Sequence, residues 1–249
     1  MKKIESIHSI FEVQLIPTTN HILKMNCEEY LNQKTELQNK ILDFIDCETG
    51  SDEKFQDLIK LISDSKIQAD KNEFTILLNI ILSIANNHHR GPNFFDKIEK
   101  ILDYLKESIT KYYSNYLIFD LFKRNKRILL YLFNAKIITM DKSIFKTISS
   151  DEKCQKAKYI EYFYPEIEQF DDKILCTVVY DEGIKKEDIQ NFMEKRKIGE
   201  NDQFICELIR EDSLDDFIVA FNKNSLSDET RIYPSVYETN LLLQNEICV

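Results

Sequence analysis

Residues 73–109 read EFTILLNIILSIANNHHRGPNFFDKIEKILDYLKESI, and this stretch decides the fold class. Its first part is apolar on most faces, which indicates a helix contacted from several sides. Gly91 and Pro92 end that helix, because glycine favours helix termini and proline cannot continue one. Asn93 with Asp96 three residues later is typical of a capping box, which predicts a second helix. The apolar residues of that second helix recur at helical spacing on one face: Ile98, Ile101, Leu102, Leu105 and Ile109.

Two later segments resemble each other at equal length. They are LIFDLFKRNKRILLYLFNAKI (117–137) and FICELIREDSLDDFIVAFNKN (204–224). Each reads as a helix, a short polar turn and another helix, and two amphipathic hairpins can also resemble each other by chance. A single helix pair cannot bury its own apolar face, so repeated pairs are expected to stack. The sequence therefore predicts an all-α fold of stacked antiparallel helix hairpins.

The chain divides on composition into three parts. We predict a helical domain over 1–150, an irregular, charged connecting region over 151–198, and a final helix pair with a C-terminal tail over 199–249. Within the middle part, ILCTVVY (174–180) fits either a short strand or a buried helix segment, with context favouring the helix. The charged run KKEDIQNFMEKRK (185–197) predicts a helix on the surface.

Composition narrows the class of protein. The 249 residues include only 4 glycines and 4 prolines, whereas sheet-rich folds use many such residues in turns. The net charge of −10 argues against general binding of nucleic acid, whose phosphates require Lys and Arg. No uncharged apolar run reaches the about 18 residues of a membrane span. The six cysteines are scattered without a C-x-x-C pair, as expected for reduced thiols in an intracellular, cytoplasmic protein without a metal site.

Motifs of the common enzyme classes are missing from the sequence. There is no phosphate-binding glycine loop, no nucleophile elbow, no zinc-protease helix motif and no kinase signature. Four glycines in total leave almost no material for a loop that cradles phosphate. We therefore expect a non-enzymatic protein that uses no cofactor.

The first candidate site is the corner formed by His88, His89 and Arg90, which follows the apolar helix. Adjacent histidines and an arginine could bind phosphate or transfer protons in a small-molecule-binding protein or an enzyme. The same cations at a helix C-terminus also complement the helix dipole and the last carbonyl groups. We favour this structural interpretation.

The second candidate site is the basic run of Lys123, Arg124, Lys126 and Arg127. Basic residues near tyrosines could contact RNA or an acidic protein. A polar turn between two helices explains the same charges more simply. Together with the histidine corner, these four residues form the predicted interaction surface.

Several strings in the chain are similar to one family. They are LLNIILSIANNHHRGPNFFDKIEKILDYLKESI (77–109), IFDLFKRNKRILLYLF (118–133), YFYPEI (162–167), RKIGENDQFICELIREDSLDDFI (196–218) and PSVYETN (234–240). They resemble the N-terminal region of a large trichomonad group of ankyrin-repeat proteins, in which this region is a domain of unknown function placed before the repeats. The resemblance implies a degenerate ankyrin-like helical array, with residues 199–249 as a degenerate repeat pair. It also implies a scaffold or interaction module that binds another protein.

The chain departs from that family pattern in two respects. No T-P-L-H-x-A motif occurs, so no repeat is a standard one. The sequence also stops about where relatives begin regular repeats, which is expected of a truncated member. The family supplies no catalytic residues to transfer to this chain.

Overall fold

A computed structural model describes residues 21–88, 90–91, 93–156, 158–170, 189–210, 213–223, 231–232, 235–238 and 247–248. The described residues are almost entirely helical, which confirms the predicted all-α class. Their α-helices are α1 (His21–Asp46), α2 (Ser51–Asp64), α3 (Lys71–Asn87), α4 (Phe94–Tyr112), α5 (Asn115–Phe122), α6 (Lys126–Asn134), α7 (Lys142–Ser150), α8 (Glu152–Lys156), α9 (Tyr159–Tyr162), α10 (Tyr164–Phe170), α11 (Ile189–Ile198), α12 (Phe204–Arg210) and α13 (Leu214–Asn222). A 3₁₀-helix spans Ile67–Ala69, and two short strands, β1 (Arg231–Ile232) and β2 (Ile247–Cys248), pair antiparallel.

The chain divides into two compact units between Ser65 and Lys66. The first unit contains α1 and α2, which pack against each other. Its helices turn at Gly50, whose φ of 69° lies in the left-handed region that glycine adopts without strain. The rings of Phe44 and Phe55 lie 5.1 Å apart, so aromatic packing links the two helices.

The second unit is built from successive helix pairs. Helix α3 packs on α4, and α5 packs on α6; the second of these pairs is the helix hairpin predicted over 117–137. Neighbouring pairs contact each other through corresponding helices: the second helices of two pairs, α4 and α6, are in contact, and so are α5 and α7. Helices α8 and α9 both pack against α7, and they also pack against each other. This order of contacts describes an array of stacked hairpins.

Side-chain caps begin several of these helices. Asp70 accepts hydrogen bonds from the backbone N–H groups of Asn72 (2.8 Å) and Glu73 (3.0 Å) at the start of α3. Asp141 caps α7 in the same manner. The predicted capping box of α4 is wrong: Asn93 has a φ of 58° and its side chain makes no capping hydrogen bond. Its left-handed backbone turns the chain into α4 instead.

The predicted domain boundaries after residues 150 and 198 do not coincide with the division at Ser65. Helix α8 begins two residues after α7 ends and packs against it, so residue 150 lies within one compact unit. The described parts of 151–198 are helical rather than irregular, because the aromatic residues of this segment supply buried apolar faces. These residues are Tyr159, Tyr162 and Phe163. Residues 174–180, predicted as a strand or a helix, lie outside the described residues.

Candidate functional site

The corner after α3 is only partly described, since His89 lies outside the described residues. His88 ends the helix, and its backbone N–H donates to the carbonyl of Ile84 at 2.9 Å. Its imidazole ring stacks on Phe94 with ring centroids 6.3 Å apart. Arg90 donates from Nη1 to the carbonyl oxygen of Gly199 at 3.2 Å. The two side chains therefore hold the end of α3 to other parts of the second unit.

Of the four cations in the basic run at the α5–α6 turn, two lie at the surface and two are buried. Lys123 is half-buried and pairs with Asp120 at 2.8 Å, and Arg124 is exposed. Lys126 and Arg127 are only 1% and 7% exposed. The prediction that all four cations form one interaction surface is therefore wrong for these two. They begin α6, and both side chains point into the interior, where they bind main-chain carbonyl groups.

The side chain of Lys126 links residues 235–238 to α6. Its Nζ donates to the carbonyl oxygen of Val236 at 2.6 Å and lies 4.9 Å from the centroid of the Tyr162 ring. The carbonyl oxygen and the aromatic face both favour the ammonium form. Burial acts in the opposite direction and lowers the pKa of Lys126 to about 7, although Glu238 and Glu161 partly offset it.

Arg127 performs the same role for the end of α11. Its Nε donates to the carbonyl oxygen of Lys197 at 2.7 Å. Its guanidinium also forms an ion pair with Glu99 of α4 and lies 5.4 Å from the Phe95 ring centroid. Burial raises the pKa of Glu99, and the charge of Arg127 works against that rise. Arg127 therefore joins α4, α6 and the C-terminal turn of α11.

Arg196 is the most fully buried cation among the described residues of the second unit, with an exposed fraction of 0%. The prediction of a surface helix over 185–197 is therefore wrong at this position. Its Nη2 donates to both carboxylate oxygens of Glu166, at 2.8 and 2.7 Å. The guanidinium carbon lies 5.0 Å from the ring centroid of Tyr162 and 5.4 Å from that of Phe192. A paired carboxylate and flat aromatic faces make this burial possible, because guanidinium is planar and weakly hydrated.

The main chain around Arg196 is bound as well. The hydroxyl of Tyr162 donates to the Arg196 carbonyl oxygen at 3.0 Å, and burial raises the pKa of this tyrosine. Among the described residues, Nε of Arg196 is a buried nitrogen with no hydrogen-bond partner.

A second polar network ties residues 195–202 to residues 235–238. Asp202 pairs with Lys195 at 3.1 Å and accepts from the hydroxyl of Ser235 at 2.7 Å. Glu238 accepts from the side-chain amide of Asn201 at 3.1 Å and from the backbone N–H of Ser235 at 3.0 Å. Residues 235–238 are therefore bound by Asn201 and Asp202 as well as by Lys126.

Arg90, Lys126, Arg127 and Arg196 form what we call the cation cluster. The cluster joins residues that are far apart in the chain: Arg90 binds Gly199, Lys126 binds Val236, Arg127 binds Lys197 and Arg196 binds Glu166. Neither Arg196 nor Glu166 is among the site residues predicted from the sequence. The only signal for them is that YFYPEI and RKIGEND are unusual strings, and this gives no indication of the pairing. Most of the hydrogen bonds described for the four cations end on a main-chain carbonyl or a carboxylate, so the arrangement supports packing rather than proton transfer.

A different surface lies on the last helix pair. Helices α12 and α13 bury Ile205, Leu208 and Ala220 between them. Several large apolar side chains of the pair are nevertheless exposed: Phe204, Ile209, Leu214, Ile218, Val219 and Phe221. Large exposed apolar groups concentrated on one hairpin are typical of a surface that binds another protein.

Within the described residues, no group of three His, Cys, Asp or Glu side chains is arranged to hold a metal ion. None of the helices described is both long and apolar enough to cross a membrane. Comparisons of the chain with known protein families, with curated proteins and with solved structures found no match.

Proposed function

We propose that this protein is a non-catalytic interaction module of ankyrin-like type, and that the α12–α13 hairpin is its binding face. The observation that carries the proposal is the exposure of the apolar side chains on this pair. Leu214 is 66% exposed and Phe204 is 54% exposed, although both are large apolar residues. Covering such side chains with a partner removes apolar surface from water, which favours association.

The array of stacked hairpins supports the same function. In a stack of helix pairs, each inner pair is covered by neighbours on two sides, and an outer face stays available for binding. The pairs α3–α4 and α5–α6 have their apolar residues buried, as Ile98, Leu105 and Phe119 illustrate. The α12–α13 pair differs from them in the number of apolar groups that it leaves in contact with solvent.

The other candidate functions receive less support from the geometry. RNA binding through the basic run loses two of its four cations to the interior, since Lys126 and Arg127 are buried. A small-molecule or enzymatic role for the corner after α3 is weakened because Arg90 already donates to Gly199 and lies 5.1 Å from the Phe95 ring centroid.

Quantitative affinity capture tests the proposal. The bait is the full chain, compared with an Ile218→Glu variant that places a charge on the exposed face. An Asn191→Glu variant adds the same charge at an exposed position of α11 and serves as the matched control. We expect a saturable protein partner that the wild type and the control retain equally and that I218E loses by about tenfold or more. Equal capture by all three baits, or no saturable partner, would contradict the proposal.

A further inference from the structure

Residues 235–238, Ser-Val-Tyr-Glu, form a turn that is held by its own side chains. The hydroxyl oxygen of Ser235 accepts from the backbone N–H of Tyr237 at 3.2 Å. A carboxylate oxygen of Glu238 accepts from the backbone N–H of Ser235 at 3.0 Å. This reciprocal pattern of serine and glutamate is that of a capping box. Because both bonds lie within four residues, a separate peptide with this sequence can form the same turn.

The two polar side chains of the turn are also bound from outside it. The Ser235 hydroxyl donates to Asp202 at 2.7 Å, and the second carboxylate oxygen of Glu238 accepts from the amide of Asn201 at 3.1 Å. Serine and glutamate therefore each have two roles, since they shape the turn and bind the residues that follow α11.

The main chain and the tyrosine ring of the turn complete the contact. Lys126 donates to the carbonyl oxygen of Val236, so this position is bound without use of its side chain. Tyr237 is 6% exposed, and its ring centroid lies 5.7 Å from that of Phe192 and 5.4 Å from the Lys195 ammonium. A buried aromatic anchor between an apolar ring and a cation is typical of a recognised peptide.

The turn can leave this position without unfolding of the second unit. Each hydrogen bond contributes little net free energy, because it replaces bonds to water, and the ordering of four residues costs conformational entropy. Separation of four residues from their neighbours therefore needs much less free energy than global unfolding. The contacts are those by which proteins bind short peptides: main-chain hydrogen bonds for affinity and side-chain contacts for specificity.

The residues that contact the turn are together called the turn site: Lys126, Phe192, Lys195, Asn201 and Asp202. We propose that the turn site binds a Ser-x-Tyr-Glu turn of another protein, and that the chain's own residues 235–238 occupy the site until such a turn displaces them. This proposal concerns a second binding site and does not depend on the α12–α13 face.

A second copy of the chain gains less from this site than a different protein does. In a second copy the same turn is already bound, so an exchange between copies creates no new contact. A partner whose turn lies in solvent gains every contact of the site. The chain's own turn is tethered, which gives it an effective concentration of about a millimolar. A partner that is also bound at another surface can match that concentration, whereas a dilute peptide cannot.

A peptide titration tests the site after the chain's own turn has been weakened. Tyr237→Ala removes the ring of that turn and leaves the turn site unchanged. A fluorescent peptide with the sequence of residues 233–240, YPSVYETN, is titrated into the full-length wild type and Y237A, and binding is measured by anisotropy. We expect Y237A to bind it at least about tenfold more tightly than the wild type. The peptide YPSVAETN should bind Y237A at least about tenfold more weakly.

Substitutions in the site assign the binding to it. Asn201→Asp places a carboxylate opposite the peptide's glutamate but retains the oxygen that accepts from the Gln203 N–H. In the Y237A background it should weaken peptide binding by about tenfold or more. Asn191→Asp makes the same change at an exposed position of α11 and should have no effect. If circular dichroism shows that Y237A does not fold, Ser235→Ala takes its place, because it removes the hydroxyl bonds of the chain's own turn.

Three results of the titration would overturn the proposal: no peptide binding to the weakened chain, equal binding to the wild type, or binding that N201D leaves unchanged. A wild-type dimer in sedimentation that Y237A abolishes would show that a second copy occupies the site, which would also overturn it. I218E alters the α12–α13 face and should not change peptide binding in the Y237A background. Loss of the captured partner with I218E and failure of the peptide titration are therefore separate outcomes.

Discussion

Replacing Glu166 by glutamine tests whether the buried ion pair with Arg196 holds the second unit together. Arg196 has no exposed surface, and both carboxylate oxygens of Glu166 accept its hydrogen bonds at 2.8 and 2.7 Å. Glutamine has nearly the same shape and retains one acceptor oxygen, but it carries no charge. The variant therefore leaves a buried guanidinium without a counter-charge, which destabilises proteins by about 3–5 kcal/mol.

For a unit of this size, such a loss lowers the melting temperature by roughly 6–20 °C. Circular dichroism during heating measures that shift, and urea denaturation gives the free energy of unfolding from the midpoint at constant slope. The matched control is Glu152→Gln, which removes the ion pair between Glu152 and Lys156, two side chains that are 77% and 68% exposed. We expect this control to unfold like the wild type, because exposed pairs contribute little.

A double replacement completes the test. If Glu166 acts by neutralising Arg196, then Arg196→Met should reduce or remove the penalty of E166Q, since no buried charge remains. The reasoning would be refuted if E166Q cost less than about 1 kcal/mol, or if it matched the E152Q control. In that case the aromatic rings around the guanidinium would be sufficient to keep it buried.

Three further changes address the helices of the second unit. Because burial lowers the pKa of Lys126 to about 7 from its ordinary 10.5, the unfolded chain holds a proton that the folded chain lacks between these values, so stability rises with pH there. The wild type should gain about 1.4 kcal/mol per pH unit over Lys126→Met between pH 7 and 9, measured by urea denaturation, and parallel curves would contradict this. Asn125→Ala removes the buried cap of α6 at the Ile128 N–H and a partly buried hydrogen bond to Asn86, at a cost of about 2–3 kcal/mol in the same assay. Asp70→Ala removes the exposed cap of α3, and its unfolding free energy should fall by only about 1 kcal/mol; a loss equal to that of Asn125→Ala would show that burial does not matter.

Several helices of the structure follow from features that the sequence displays, although those of 151–170 do not. Helix α4 begins close to where its apolar period begins, and its core residues Ile98 and Leu105 are the ones that the period predicts. The hairpins predicted over 117–137 and 204–224 from the same spacing form α5–α6 and α12–α13. Local patterns suffice for these helices, because the residues that define each face are only three or four positions apart.

The cation cluster could not be predicted in the same way. A lysine or arginine in a polar turn normally lies in solvent, and nothing adjacent to Lys126 or Arg127 indicates burial. Their acceptors are the carbonyl oxygens of Val236 and Lys197, which are distant in the chain. Every residue type has a carbonyl oxygen, so the residue types at these two positions give no indication of the contact. The pairing of Arg196 with Glu166 spans 30 positions and depends on how α10 and α11 meet, which periodicity does not specify. The exposed α12–α13 face is likewise absent from the predicted site, since an apolar helix face is ordinarily taken as core.

The use of peptide oxygens as acceptors has a consequence for how this protein can vary. Lys126 and Arg127 recognise the course of the backbone at residues 236 and 197, whatever side chains those two positions carry. Substitutions at Val236 or Lys197 are compatible with both bonds, provided that the new residue does not redirect the main chain. Divergent copies of such a protein would therefore retain the two basic residues, while the side chains at the positions that they bind would vary.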